Sequence, residues 1–231
     1  MQAVGKTVKP LATTAGSFTS VPDGLSINNN TGEIDANNSE TGLRYRVTFT
    51  PTGGGTAQTS TVIISGINYA DKIYNLSKGD SIAAPIYNAN ALLTIPGANS
   101  TSVFDQGGGC KKAGIAVGAG NAIINLALSV RNQGIDTGAT QQVKLAYRIS
   151  DGSNSALNGL DVKIYFYRTA AEIPQYLTDL LAARKAANLS AEGQKILSLP
   201  GQPMLATQAL AVNKAATPVK ARPPCIIVIS R

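Results

Sequence analysis

Short polar–apolar alternations broken by Gly and Asn run through the first two thirds of the chain. Val21-Pro22-Asp23-Gly24-Leu25-Ser26-Ile27 is followed by Asn28-Asn29-Asn30-Thr31-Gly32 and then Glu33-Ile34-Asp35. That order predicts a strand, a turn closed by glycine and a second strand, because Asn and Gly tolerate positive φ and Asx side chains close turns. Tyr45-Arg46-Val47-Thr48-Phe49-Thr50 alternates with period two, Gly53-Gly54-Gly55 predicts a turn, and Ser60-Thr61-Val62-Ile63-Ile64-Ser65 is rich in β-branched residues. So many short strands close together predict a meander or a sandwich.

The same order of signals returns about ninety residues later. Gly114-Ile115-Ala116-Val117 leads through Gly118, Gly120 and Asn121 to Ile123-Ile124-Asn125, so that Gly24 matches Gly114, Ile27 matches Val117 and Ile34 matches Ile124 at one offset. Val143-Lys144-Leu145-Ala146-Tyr147-Arg148-Ile149 then corresponds to the Tyr45 strand, and Leu160-Asp161-Val162-Lys163-Ile164-Tyr165-Phe166-Tyr167 to the Val62 strand. The offset widens to about one hundred, as insertions in loops allow. The pattern predicts an internal duplication.

Gly24-Leu25-Ser26-Ile27, Thr31-Gly32-Glu33-Ile34, Thr41-Gly42, Tyr45-Arg46-Val47-Thr48-Phe49 and Val62-Ile63-Ile64 together resemble the Ig or cadherin-like domains found in tandem on bacterial surface proteins. The likeness spans residues 18–67 well and 110–168 loosely. It implies a Greek-key sandwich in a surface or adhesive setting and carries no catalytic residue with it. Calcium-binding members use dense acidic loops, whereas Asp23, Asp35, Asp151 and Asp161 stand alone here, which favours turn-closing roles.

Between the copies, Tyr69-Ala70-Asp71-Lys72-Ile73-Tyr74-Asn75-Leu76, Ala84-Pro85-Ile86-Tyr87 and Leu92-Leu93-Thr94-Ile95-Pro96 read as opening strands of the second sandwich. Gly107-Gly108-Gly109-Cys110-Lys111-Lys112 invites a phosphate-loop reading. Its spacing is wrong and no Ser or Thr follows the lysines, so a flexible loop is expected.

After Tyr167 the period changes. Ile173, Tyr176, Leu177, Leu180 and Leu181 form an i, i+3, i+4, i+7, i+8 stripe, predicting an amphipathic helix over 174–188 whose apolar face needs cover from its own domain or a neighbouring subunit. Ser190 is placed to cap a second short helix. Five prolines mark residues 200–224 as an extended linker, after which Cys225-Ile226-Ile227-Val228-Ile229 reads as an apolar strand. Such a strand must be covered, either by its own sheet or by pairing in a neighbouring chain, which would make Ile226, Ile227, Val228 and Ile229 an inter-subunit strand. Cys110 and Cys225 are either bridged or two buried free thiols.

Composition removes much of enzymology. No histidine is present, which eliminates His-based triads and His-ligated zinc or haem, and two cysteines cannot build a cysteine-rich zinc site or an iron–sulfur cluster within one chain. The absence of Trp weakens sugar and base stacking. The net charge of +7 is scattered rather than clustered, which argues against nucleic acid as a partner. Neither a signal peptide nor a membrane-spanning run is evident.

The expected fold class is all-β, with two tandem immunoglobulin-like β-sandwich domains. An N-terminal extension (1–17) precedes domain 1 (18–67) and domain 2 (68–169), followed by an amphipathic helical segment (170–199), a Pro-rich linker (200–224) and a terminal β-strand (225–231). The expected role is non-catalytic: an extracellular or cell-surface structural or adhesive module, in the manner of a filament or surface-assembly subunit. It would act through protein contacts and self-association, with no cofactor and no metal. Two other readings stand beside it: a structural protein of the virion, and a carbohydrate-binding sandwich using Tyr69, Tyr74 and Tyr87 as a glycan platform, against packing roles for those tyrosines.

Overall fold

The Asn-rich turn closes as its residues dictate. Asn28 N–H donates to Glu33 O at 2.8 Å, Gly32 N–H donates to Asn28 O at 2.7 Å, and Ile27 pairs antiparallel with Ile34. Ninety residues on the same bonds recur: Gly118 N–H to Ile123 O at 2.8 Å, Ala122 N–H to Gly118 O at 2.8 Å, and Val117 paired with Ile124. The residue that closes each turn is left-handed, with φ 68° at Gly32 and 58° at Ala122. Only the first must be glycine on steric grounds, since a Cβ there would lie 2.7 Å from the Phe18 ring.

A serine locks each hairpin to the segment after it. Ser39 Oγ donates to Asp35 O at 2.6 Å and accepts Ser26 N–H at 2.9 Å; Ser129 Oγ donates to Asn125 O at 2.6 Å and accepts Ala116 N–H at 3.0 Å. Both serines are buried, so each satisfies backbone groups that water cannot reach.

The computed structural model of the chain describes residues 7–10, 14–133, 138–197 and 222–231. The first part contains β1 (Thr7–Val8), β2 (Gly16–Val21), β3 (Ile34–Asp35), β4 (Arg44–Pro51) and β5 (Gln58–Ile63). β1 pairs with β3, and β2, β4 and β5 form an antiparallel sheet in that order. Phe18, Leu25, Ile34, Tyr45 and Val47 form the core between them.

β6 (Ile67–Tyr69), β7 (Lys72–Asn75), β8 (Ile82–Ala83), β9 (Pro85–Tyr87), β10 (Val103–Phe104) and the short helix α1 (Gly109–Lys112) follow. Then come β11 (Ala116–Val117), β12 (Ile124–Asn125), α2 (Leu126–Gln133), β13 (Thr140–Arg148), β14 (Asn158–Tyr167), α3 (Gln175–Leu197) and β15 (Cys225–Ile229). β11, β12 and β8 form one small sheet and β6 pairs with β9. The main sheet has the order β10-β13-β14-β15-β7. Its first three strands match β2-β4-β5 in order and antiparallel sense, and β15 and β7 extend it in parallel. The chain is therefore mostly β, with few helices.

Two buried clusters flank the main sheet. Tyr74, Phe104, Ile124, Leu145, Tyr147, Val162, Ile226 and Val228 belong to the larger, and Tyr165, Tyr167, Cys225, Ile227, Ile229, Ile173 and Leu177 to the smaller. A buried polar joint links the two parts of the chain. Tyr147 Oη lies 2.8 Å from Thr41 Oγ1 and accepts Ile67 N–H at 3.3 Å, while Asn68 Nδ2 donates to Thr41 O at 2.9 Å.

Four local expectations are corrected. Val21 to Ile27 is no strand: β2 ends at Val21, and of residues 22–27 only Ile27 pairs, in the single bridge to Ile34. Leu92 to Pro96 is no strand: the Asn90 side chain accepts Leu92 N–H, its carbonyl accepts Leu93 N–H, and the chain turns with Leu92 exposed. The glycine-rich loop runs into α1 instead, because the Asp105 carboxylate accepts Cys110 N–H at 2.7 Å and Lys111 N–H at 3.0 Å. That carboxylate already fills the place a phosphate would take. Ser190 starts no second helix, since α3 runs unbroken through a segment of helix-favouring Ala, Leu, Glu, Gln and Lys. The expected Pro-rich linker lies outside the described residues except for 222–224.

Candidate functional site

The features that composition and motifs left unassigned converge on β15. Its five residues are all buried, Ile226 and Val228 on one face of the main sheet and Cys225, Ile227 and Ile229 on the other. This explains a continuous apolar run without alternation: a strand with parallel neighbours on both sides and cover on both faces has no polar side. The strand considered as an inter-subunit element thus lies between β14 and β7 of its own chain, Ile227 opposite Tyr165 and Ile73.

A carboxylate holds its entry. Asp71, in the bend between β6 and β7, accepts Cys225 N–H through Oδ1 at 2.7 Å. The same oxygen meets Arg184 Nη1, and Oδ2 accepts Arg222 Nη2 at 2.9 Å. Arg184 also donates to Pro223 O at 2.9 Å, so helix α3, the entering chain and the bend are joined at one buried point. The side chains of Asp71, Arg184 and Arg222 retain only 9%, 11% and 7% exposure. In such surroundings the ions are strongly coupled, and removing the shared one leaves two guanidinium groups without their counter-charge.

Glu40 stands behind this clasp. Burial pushes its carboxyl up to about 7, although the Arg222 backbone N–H and the Asn68 side chain both favour its charged form. Asp71 and Glu40 were invisible as a pair in the sequence, where neither belongs to a motif. Their one signal is position: Glu40 directly precedes the buried Thr41, and Asp71 lies two residues after the buried Tyr69.

The helix face is brought together as its spacing predicts, with one exception. Ile173 and Leu177 are buried against Tyr165, Tyr167 and Ile227, and Leu180 and Leu181 pack at the margin. Tyr176 is 62% exposed and stands outside the cluster. Cys110 and Cys225 are free, buried thiols in different clusters rather than a bridge. Burial pushes the first up to about 12 and the second to about 11.

Tyr69, Tyr74 and Tyr87 are buried and offer no exposed glycan platform. Tyr87 Oη and Ser65 Oγ instead donate to Asp151 at 2.8 and 3.0 Å. Partial burial alone would raise the Asp151 carboxyl; these bonds and the Ser153 N–H, which donates to Oδ1 at 2.9 Å, outweigh it and hold the group below its ordinary value. Asp35 closes its turn by accepting Asn37 and Asn38 N–H. Among the described residues no three His, Cys, Asp or Glu side chains converge as a metal site would need, and no helix is long and apolar enough to cross a membrane.

The sheets also differ in one respect that matters for contacts. β14 is covered by β15, whereas β5, the strand in the corresponding place, is the outer edge of its sheet among the described residues and is largely exposed. Its Gln58-Thr59-Ser60-Thr61-Val62-Ile63 backbone therefore has one row of hydrogen-bonding groups turned away from β4. No family model, curated protein or solved structure matches the chain.

Proposed function

We propose that this chain is a non-catalytic extracellular or cell-surface structural module of two tandem immunoglobulin-like units, which assembles by adding a strand of a neighbouring polypeptide to the open edge of β5. The recurrence of hairpin, serine lock and three-strand order supports the tandem reading. The single observation that carries the assembly reading is the contrast between β14, which has β15 as its outer neighbour, and β5, which has none among the described residues. An edge of this kind bonds readily to another strand through main-chain groups.

Sedimentation across a wide concentration range, followed by electron microscopy, tests the idea. The informative variants are Thr59→Pro and Ser60→Pro. Adjacent strand residues point their N–H groups to opposite sides, so one proline breaks the ladder to β4 and the other removes only an outward donor. The outward variant is expected to stay folded and to lose association. A wild-type chain that remains monomeric at every concentration overturns the assembly reading.

A further inference from the structure

Beside the clasp lies a cleft of about 590 Å³ between the start of β4, the β6–β7 bend and the middle of α3. Its size falls among cavities that take small organic ligands. Its charge is one-sided. Arg44, Lys72, Lys185 and Arg222 line it, against a single carboxylate, Asp71. Asp71 is already committed to Arg184, Arg222 and the Cys225 N–H, and Lys72 is committed to Asp80 at 2.9 Å.

Two cations are left over. Among the described residues no carboxylate pairs with Arg44 or Lys185, and Arg44 Nε is buried with no hydrogen-bond partner. Arg44 is only half-buried overall and lines the cleft, and a planar carboxylate is the acceptor whose two oxygens best match a guanidinium. Most of the rest of the wall is apolar, with Leu43, Ile73, Ile86 and Leu181 its large aliphatic side chains; the polar exception, Asn68, already donates to Thr41 O. Two free cations suit one negative charge better than the several of a phosphate ester, and the largely apolar wall suits a hydrocarbon body.

We infer that the cleft is a binding site for a small amphipathic carboxylate, its carboxyl group on Arg44 with Lys185 nearby and its apolar part against Leu43, Ile73 and Leu181. The site is independent of the β5 edge and stands whether or not the chain assembles there.

Calorimetric titration of the full chain with octanoate, octanol and inorganic phosphate tests this, together with Arg44→Gln and Lys185→Gln. Lys185 is exposed on α3, so its variant keeps the fold even where Arg44→Gln does not. Octanoate is expected to bind with one site per chain, and octanol and phosphate each about tenfold or more weaker, since one lacks the charge and the other the apolar body. Arg44→Gln should weaken octanoate by about tenfold or more, and Lys185→Gln by roughly threefold, with the octanol signal unchanged. Absence of octanoate binding at millimolar concentration overturns the proposal. So does octanol or phosphate binding as tightly as octanoate, or octanoate binding that both variants leave unaltered.

Discussion

Asp71 shows how one side chain can decide the state of a whole segment. It neutralises two buried arginines and receives the first backbone N–H of β15, so its removal acts on charge and on strand docking at once. Asp71→Ala is expected to cost about 3–5 kcal/mol in urea unfolding, the range for breaking a buried pair from one side. A loss below about 1 kcal/mol, typical of exposed pairs, would mean that water reaches the clasp. Glu40 makes a separate prediction in pH. Its carboxyl is raised from 4.5 to about 7 in the folded chain, so between those values the folded state holds a proton that the unfolded state has released. Its contribution to stability is therefore complete below the unfolded value and is lost as pH rises towards 7. Glu40→Gln removes this term. Relative to that variant, wild type should lose roughly 1–3 kcal/mol between about pH 4.5 and 8, and parallel stability curves would contradict the assignment.

At the scale of elements, the sequence was most legible where one physical rule governed. The Asn-rich turn, the Tyr45 strand, the β14 strand and the helical stripe all carry their period openly, and each forms close to where it was expected. α2 was missed because Leu126 to Gln133 follows a strand without a break, and what starts the helix is a single contact, Asn125 Oδ1 accepting Leu128 N–H at 2.9 Å. Leu92 and Leu93 misled because two apolar residues look like a strand whether or not anything covers them. The serine locks were missed for the opposite reason. Ser39 and Ser129 sit at the same ninety-residue offset as the hairpins, yet serine has no hydrophobic period to draw attention to it. The clasp could not be read at all, since Asp71, Arg184 and Arg222 are brought together only by the tertiary fold. β15 itself was legible as a strand needing cover but not in its place, because parallel pairing leaves no turn signal in the chain. Its double-sided burial gives a direct test. Ile227→Ala should cost about 2–5 kcal/mol, as for a fully packed core isoleucine, with the loss measured by denaturant midpoint at unchanged slope.

At the scale of the whole molecule, the two cores are built differently and should fail differently. Phe18, Leu25, Ile34, Tyr45 and Val47 take no core partner from β15, whereas the clusters on both faces of the main sheet each depend on it. A chain ending at residue 221 should therefore keep dispersed methyl resonances for Val47 and Leu25 while those of Leu145, Val162 and Leu177 collapse. In calorimetry the wild-type endotherm should lose most of its area and leave a smaller transition belonging to the first core, the behaviour of a multi-part chain that is no longer two-state. The buried joint of Thr41, Tyr147 and Ile67 is one route by which this independence could fail, and the Arg222 backbone N–H on Glu40, which the truncation itself removes, is another. Tyr147→Phe tests the joint, because it strands the Ile67 N–H at a cost of roughly 1–3 kcal/mol without touching β15. If the joint merely aligns two self-sufficient cores, combining Tyr147→Phe with the truncation leaves the first core's transition where the truncation alone put it. A further fall of that transition in the double variant would instead make the joint part of what holds the first core together.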